Sequence, residues 1–143
     1  MIYQTDPEFH DPALYHWGCY FMSLNERMST LFGIPFTHES VLGILAYARG
    51  RKIVDDEVTI LNPQLLCEYI EPGRVRFEGK FPAEYITQAD EFEILCFHKT
   101  GASFNHFVSG NGQGVCIYDP WSAKGSDSVR NGSVISKRIF KYA

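Results

Sequence analysis

The sequence predicts an α+β fold in which N-terminal helices pack on a C-terminal antiparallel β-sheet. In the first half of the chain, apolar residues recur at spacings of three and four, which is typical of amphipathic helices. In the second half, short runs with alternating polarity are typical of strands. Because the helices come first and the strands follow, this order favours an antiparallel sheet over the alternating strands and helices of a parallel one.

The first helix is predicted to begin at Gly18, after an irregular N-terminal segment. Residues 1–17 are rich in Asp, Pro, His and Tyr, and we expect a short strand and then a loop there. Gly33 and Pro35 are predicted to terminate the helix. Its apolar face is formed by Phe21, Leu24, Met28, Leu31 and Phe32.

Two further helices have recognisable start signals. Thr37 is a good N-cap for a helix over 39–50, and an acidic residue in the first turn of that helix interacts favourably with the helix dipole. Asn62 followed by Pro63 is a typical helix start, because proline fits the first helical position. We therefore expect a short helix directly after this pair.

Five segments of the second half are strand-like. They read RVRFEGKF, EFEILCFHK, SFNHFVSG, GVCIYD and SVISKRIFKY. Asn111 and Gly112 lie between the third and fourth segments and are a strong local signal for a tight hairpin. We therefore expect these two strands to be antiparallel neighbours, with Gly114 as a position for a β-bulge that shifts their register.

The bulk composition favours a single compact domain over residues 1–143. Hydrophobic residues make up 45% of the chain, and a net charge of −4 without a long basic run argues against nucleic acid or an anionic membrane as the main partner. The sequence has neither a secretory leader nor an apolar stretch of about 20 residues, so we expect a cytoplasmic protein.

The four cysteines predict neither disulfides nor a metal site, because they are widely and irregularly spaced and no CxxC pair exists. His10 and His16 precede Cys19 at a spacing that matches no common metal-binding pattern, so no metal ligand is assigned. The cysteines that lie in apolar runs are expected in the core, and they are Cys67, Cys96 and Cys116.

Cys19 is the cysteine whose position suits a nucleophile. At the N-terminus of the first helix, the positive end of the helix dipole favours a thiolate, and Gly18 leaves space in front of the sulfur for a substrate backbone. A nucleophile also needs a base, and none lies nearby in sequence. The alternative is that Cys19 is a small core residue, the usual role of a lone buried cysteine.

His106 and Asp119 are the candidate base and acid. His106 lies on the strand before the hairpin signal and Asp119 ends the strand after it, so antiparallel pairing brings the two side chains close. A neighbouring carboxylate fixes the tautomer of an imidazole and stabilises its charged form. Each residue also has a structural interpretation: His106 as a hydrogen-bonded core histidine, and Asp119, directly before a proline, as a turn starter.

Together these motifs resemble those of papain-like cysteine peptidases. A Gly-Cys helix opening, a strand reading HFV and a strand ending in DPW are similar to the bacteriocin-leader (double-glycine) peptidases and their stand-alone relatives in phages and prophages. The N-terminal YQTDPEF is similar to the Gln-x-Asp-Pro stretch of these proteins. The resemblance covers residues 3–121, and it implies Cys19, His106 and Asp119 as a catalytic triad with Gln4 as the oxyanion-hole glutamine.

The resemblance implies a papain-like fold and a cysteine peptidase that needs no metal or organic cofactor. The implied partner is a peptide or protein substrate, whose peptide or isopeptide amide, such as a peptidoglycan cross-link, is cleaved through a thioester. An amine acceptor would make the same enzyme an acyl transferase. The family often has Gly-Pro after the cysteine, whereas Tyr20 and Phe21 follow it here. If these rings close the cleft, the alternative is an inactive module that binds a peptide or a host protein.

Overall fold

The computed structural model describes residues 1–143, with most of the helices in the first half and one five-stranded sheet in the second. The α-helices are α1 (Pro12–Trp17), α2 (Cys19–Phe32), α3 (His38–Gly50), α4 (Pro63–Ile70) and α5 (Asp127–Asn131). The strands are β1 (Val75–Pro82), β2 (Glu91–His98), β3 (His106–Gly110), β4 (Cys116–Tyr118) and β5 (Ser133–Tyr142). All strand pairings are antiparallel, so the predicted α+β fold is confirmed.

The predicted helix boundaries are confirmed by capping interactions. α2 ends before Gly33, whose φ of 69° lies in the left-handed region that favours glycine. The Thr37 side chain accepts a hydrogen bond from the Ser40 backbone N–H, and Ser40 Oγ accepts one from the Thr37 N–H, which forms a capping box at the start of α3. Asn62 caps α4 by accepting a hydrogen bond from the Leu65 N–H.

The expected N-terminal strand is wrong, because residues 1–17 contain a 3-10 turn and a short helix instead. The turn spans Pro7–Phe9, and α1 follows closely. Asp11 caps α1 by accepting a hydrogen bond from the Leu14 N–H at 3.0 Å, with Pro12 at the first helical position. This start signal resembles the Asn-Pro signal that correctly predicts α4, and it outweighs the irregular composition of the segment.

The five strands form one sheet in the order β1-β5-β2-β3-β4. The last strand of the chain, β5, therefore lies in the interior of the sheet, between β1 and β2. β2 and β3 pair from Phe97 opposite His106 to Ile94 opposite Ser109. This register places the first residue of β3 at the end of the sheet where β2 finishes.

The connection between β3 and β4 is longer than the predicted two-residue turn. It spans residues 111–115 and closes with a hydrogen bond from the backbone N–H of its first residue to the carbonyl of its last, at 2.9 Å. The register shifts by one residue at Ile117, so the expected bulge lies in β4 and not at Gly114. The short helix α5 after β4 has no counterpart in the prediction.

Apolar side chains pack on both faces of the sheet. The main core lies between the helices and one face, and a smaller core on the other face contains Leu95, Phe97 and Val108. α2 packs along β3, where Ser23 Oγ donates to the Phe107 carbonyl at 3.3 Å and Ser109 Oγ donates to the Ser23 carbonyl at 3.2 Å. α2 therefore begins beside the start of β3. None of the helices combines the length and the apolar character that a membrane span requires.

Candidate active site

Cys19 is the first residue of α2 and has 8% of its surface exposed. The backbone N–H of Phe107, on β3, donates to Cys19 Sγ at 3.4 Å. The sulfur is thus next to the positive end of the α2 dipole and next to a backbone donor from the sheet. An electropositive environment of this kind is one in which reactive cysteines are found.

His106 and Asp119 form a buried pair beside this sulfur. His106 Nε2 lies 2.7 Å from Asp119 Oδ1, and each side chain is 7% exposed. Burial by itself lowers the pKa of His106, but the hydrogen bond to Asp119 and the contact with the Cys19 thiol raise that pKa to about 9. His106 is therefore an imidazolium at neutral pH, and its Nδ1 is the ring nitrogen left for Cys19.

Asp119 is held in place by two further donors. Ser126 Oγ donates to Asp119 Oδ2 at 2.6 Å, and the Trp121 backbone N–H donates to Oδ1 at 3.0 Å. Burial raises the pKa of Asp119, but its bonds to His106 and Ser126 outweigh this effect and the pKa is lowered. The carboxylate is therefore ionised, with its orientation set by all of these partners.

Ser126 is a site residue that sequence reasoning missed. It is the N-cap of α5, and its side chain accepts a hydrogen bond from the Val129 N–H. A serine followed by an aspartate in the first helical turn is a recognisable helix start, so the sequence contains a signal for α5. Its contact with Asp119 has no sequence signal, because the loop that joins β4 to α5 decides it.

Gln4 also lies at the site and is 2% exposed. Its backbone N–H donates to the Pro120 carbonyl at 2.8 Å, which ties the N-terminal segment to the loop that follows Asp119. Its side-chain Nε2 donates to the Tyr15 carbonyl at 2.8 Å and more loosely to the Leu14 carbonyl at 3.4 Å, while Oε1 has no partner. The weaker of these bonds leaves one N–H that can turn towards a substrate oxygen.

These residues line a cleft of about 950 Å³, which we call the thiol cleft. Its lining includes Gln4, Cys19, His106, Trp17 and Trp121. The Trp17 ring is 53% exposed at the rim. The cleft is thus large enough for several residues of an extended peptide, and aromatic side chains form part of its walls.

The two aromatic residues after the cysteine do not fill the thiol cleft. Tyr20 stacks on Phe107 with ring centroids 4.8 Å apart and forms part of the wall, whereas Phe21 is fully buried in the main core. The role expected for Gly18 needs correction. A Cβ at this position would lie 2.5 Å from Leu14 Cδ1 and 2.6 Å from the Leu14 carbonyl oxygen, so close packing on α1 requires the glycine.

The other three thiols do not belong to the Cys19–His106–Asp119 group. Cys67 and Cys96 are buried as expected, whereas Cys116 is only partly buried, and all four cysteines are free. Burial raises the pKa of Cys67 to about 12 and that of Cys116 to about 11, and it also raises the pKa of Cys96. These three side chains are therefore neutral thiols at physiological pH.

Ligating side chains gather at one further place. Asp6, Glu8 and His38 have donor atoms within 4.8 Å of one another, whereas His10 and His16 belong to no such group. His38 Nε2 lies 2.9 Å from Asp6 Oδ2 and 3.3 Å from Glu8 Oε2. These contacts tie the N-terminal 3-10 turn to α3, a structural role that needs no metal ion.

Comparisons with known proteins place the chain in one family. Searches of curated proteins and of solved structures find no significant match. The family described as "Protein of unknown function, DUF261" matches residues 1–142, so Gln4, Cys19, His106 and Asp119 all lie inside the matched region. The chain therefore belongs to the DUF261 family.

Proposed function

We propose that this protein is a thiol hydrolase that cleaves a peptide or isopeptide amide through Cys19. The observation that carries the proposal is the meeting of three side chains from separate elements at one cleft. His106 Nε2 lies 2.7 Å from Asp119 Oδ1, and the Cys19 thiol contacts the same imidazole ring. A nucleophile, a base and an orienting acid in this order are what amide cleavage by a thiol requires. The motif resemblance to papain-like cysteine peptidases supports the same reaction.

In the proposed mechanism, His106 holds the proton of the Cys19 thiol on Nδ1, and the thiolate attacks the substrate carbonyl carbon. The C–N bond of the resulting tetrahedral intermediate breaks as His106 returns the proton to the leaving amine. Water, deprotonated by His106, then attacks the thioester, and the acid product leaves as the Cys19 thiolate and the His106 imidazolium form again. Asp119 stays ionised throughout and keeps the imidazole oriented.

The oxyanion of the tetrahedral intermediate needs donors close to the sulfur. Cys19 opens α2, and the first N–H groups of a helix are those that its own turns leave without partners. We assign the Cys19 N–H as one donor and the Gln4 side-chain amide as the other. The 3.4 Å bond from Gln4 Nε2 to Leu14 is the one that gives way to the substrate.

The thiol cleft favours a peptide as the substrate. Its volume of about 950 Å³ is near the upper end of the range for ligand pockets, and its lining combines aromatic residues with polar ones. Peptidoglycan peptides and isopeptide cross-links fall within this class, as do protein segments. The four free thiols fit a cytoplasmic location, where thiols stay reduced.

Selective alkylation of Cys19 at low pH tests the proposal. At pH 6 the thiols Cys67, Cys96 and Cys116 are protonated, because desolvation raises the pKa of each. We expect iodoacetamide to label Cys19 on the order of a hundredfold faster than these three, measured by peptide mass spectrometry. Equal and slow labelling of all four thiols would contradict the proposal and favour a binding module.

The control variants separate reactivity from folding. His106→Ala removes the imidazole, and we expect the labelling of Cys19 at pH 6 to fall to the rate of the other thiols. Cys19→Ala should fold normally and lose cleavage of a fluorogenic peptide library. A Cys19→Ala protein that melts much earlier than the wild type would indicate a core role for the thiol instead.

A further inference from the structure

Arg138, a basic residue at the wall of the thiol cleft, faces a second basic residue on the neighbouring strand. Arg138 on β5 is the register partner of Lys80 on β1. Register partners in an antiparallel pair project from the same face of the sheet, and like charges in that arrangement destabilise it. A bound anion would relieve the repulsion between the two positive charges, so the pair is typical of an anion-binding site.

The chain itself supplies no acidic partner to either residue. Neither Arg138 nor Lys80 takes part in any of the ion pairs of the structure. The one side-chain bond of Arg138 runs from its guanidinium to Ser136 Oγ at 3.0 Å, which leaves most of its five N–H donors free. Arg76, also on β1, contrasts with this because it pairs with Glu78 at 2.9 Å.

Arg138 is also close to the nucleophile. Its guanidinium lies over the Phe107 ring, with 5.2 Å between the guanidinium carbon and the ring centroid, and Phe107 is the residue whose N–H donates to Cys19 Sγ. Tyr20 stacks on the same ring, and its buried hydroxyl has no hydrogen-bond partner. Arg138, Phe107 and Tyr20 all line the thiol cleft. An unpaired cation and an unpaired hydroxyl thus flank one wall beside the sulfur.

We propose that Arg138, with support from Lys80, binds a carboxylate of the peptide substrate and so selects acidic substrates for attack by Cys19. This inference rests on the proposed hydrolase function. A guanidinium binds a carboxylate through two parallel hydrogen bonds, which orients the peptide as well as attracting it. Of the two acids in the lining, Asp127 pairs with Lys99 and Glu57 makes no ion pair, so neither occupies Arg138 or Lys80.

A series of bromoacetyl peptides tests the proposal, because Cys19 displaces bromide and forms a stable C–S bond. Each peptide carries Glu or the neutral isostere Gln at the first, second or third residue after the bromoacetyl group, with an amidated C-terminus. A Gln peptide with a free C-terminal carboxylate distinguishes a side-chain carboxylate from a terminal one. We expect the Glu peptide to react about tenfold faster than its Gln partner at one of these positions, the size of one charge-assisted hydrogen bond.

We compare variants by the ratio of the Glu-peptide rate to the Gln-peptide rate within each protein, because a general change in thiol reactivity affects both rates equally. We expect Arg138→Met to bring the ratio close to one and Lys80→Met to reduce it in part. Arg76→Met is the matched control, because Arg76 lies on β1 and already pairs with Glu78. The ratio of this control should equal that of the wild type.

A binding measurement keeps this proposal separate from the hydrolase function. In the Cys19→Ala protein, we expect the Arg138 Nε–H resonance to shift saturably with acetyl-Gly-Glu-amide or its positional isomers and not with the Gln peptides. If this resonance shifts in the variant but Cys19 of the wild type is not alkylated selectively, the hydrolase function is overturned and the carboxylate site is retained. A reactive Cys19 with neither a rate ratio nor a shift would overturn the carboxylate site alone.

Discussion

Two buried charged pairs lie on this sheet, and their surroundings differ. His106 and Asp119 are each 7% exposed and lie 2.7 Å apart beside a thiol and a cleft. Lys137 and Glu93 are 5% and 0% exposed and lie 2.9 Å apart, and neither residue lines the thiol cleft. Burial and hydrogen bonding are thus alike in both pairs and do not by themselves identify a site.

The Glu93 pair is a closed structural network. Glu93 Oε2 accepts hydrogen bonds from the Gly112 and Gly114 backbone N–H groups, and Oε1 accepts from Lys137 Nζ and from Thr87 Oγ1. Every oxygen is satisfied, and the network joins the β3–β4 connection to the loop before β2. Burial raises the pKa of Glu93, but these partners outweigh it and the pKa is lowered.

The His106 pair has one face left for chemistry. Asp119 is saturated by its three donors, whereas the second ring nitrogen of His106 faces Cys19 and the thiol cleft. In this comparison, what indicates a functional site is a hydrogen-bonding group that has no structural partner and faces a cleft. A buried ion pair whose hydrogen-bonding positions are all occupied indicates a structural role.

The largest stability effect is expected on the structural side of this comparison. Glu93→Ala leaves the Lys137 ammonium buried without its counter-charge and strips two backbone N–H groups of their acceptor. We expect the free energy of unfolding to fall by about 3–5 kcal/mol, measured by urea denaturation. Alkylation of Cys19 in the folded fraction should keep its wild-type pH dependence.

Cys19→Ala is the complementary variant, because it changes the candidate site and leaves the Glu93 network intact. It should abolish labelling and change the free energy of unfolding by no more than about 1 kcal/mol, because only one small polarisable group is lost. If Glu93→Ala removed the reactivity of Cys19 without unfolding the protein, the two networks would be coupled and the comparison would fail.

A somewhat smaller effect is expected from pH. The pKa of His106 is raised from 6.5 to about 9, so the stability this group contributes is fully present below pH 6.5 and is lost as the pH rises through 9. The loss amounts to at most about 3 kcal/mol. Urea denaturation between pH 6 and pH 10 measures it.

The matched control for this pH effect is His106→Gln. All four cysteines ionise in the unfolded chain over the same range in both proteins, so the difference between them isolates the imidazole. A wild type whose stability followed the variant across this window would show that the imidazolium has no partner in the folded protein.

The smallest effect concerns the packing that positions the nucleophile. Gly18→Ala places a methyl group 2.5 Å from Leu14 Cδ1, so α1 must move relative to α2. We expect a loss of about 1–3 kcal/mol in thermal or chemical denaturation and slower labelling of Cys19. Gly43→Ala is the matched control, since its Cβ meets nothing within 4 Å in α3 and should stabilise by about 0.5–1 kcal/mol. Equal effects at both positions would contradict this account of Gly18.

Local signals were sufficient for most of the elements. The caps Thr37 and Asn62 mark α3 and α4 correctly because a cap acts within one turn of its own helix. The same signal at Asp11 marks α1, although the composition of that segment predicts an irregular loop there. α5 is a single short turn that depends on its contacts with the sheet, so its pattern is weak.

The contacts of the candidate site likewise divide into those that local sequence predicts and those that depend on tertiary packing. Hairpin geometry was enough to predict that His106 and Asp119 meet, because their separation depends on one local connection. The contact of Cys19 with β3 spans 88 residues of sequence and has no local cause. The packing of α2 on β3 through Ser23 and Ser109 decides it.

By itself, the sequence determined the order of helices and strands, the start of α2 at Cys19 and the nearness of His106 to Asp119. Each of these depends on interactions between residues that are close along the chain. The tertiary structure alone decided that the sulfur lies against the imidazole, that Ser126 holds the carboxylate, and that Arg138 faces Lys80 beside the cleft. Such contacts join distant segments, and only the packing of the whole core sets their distances.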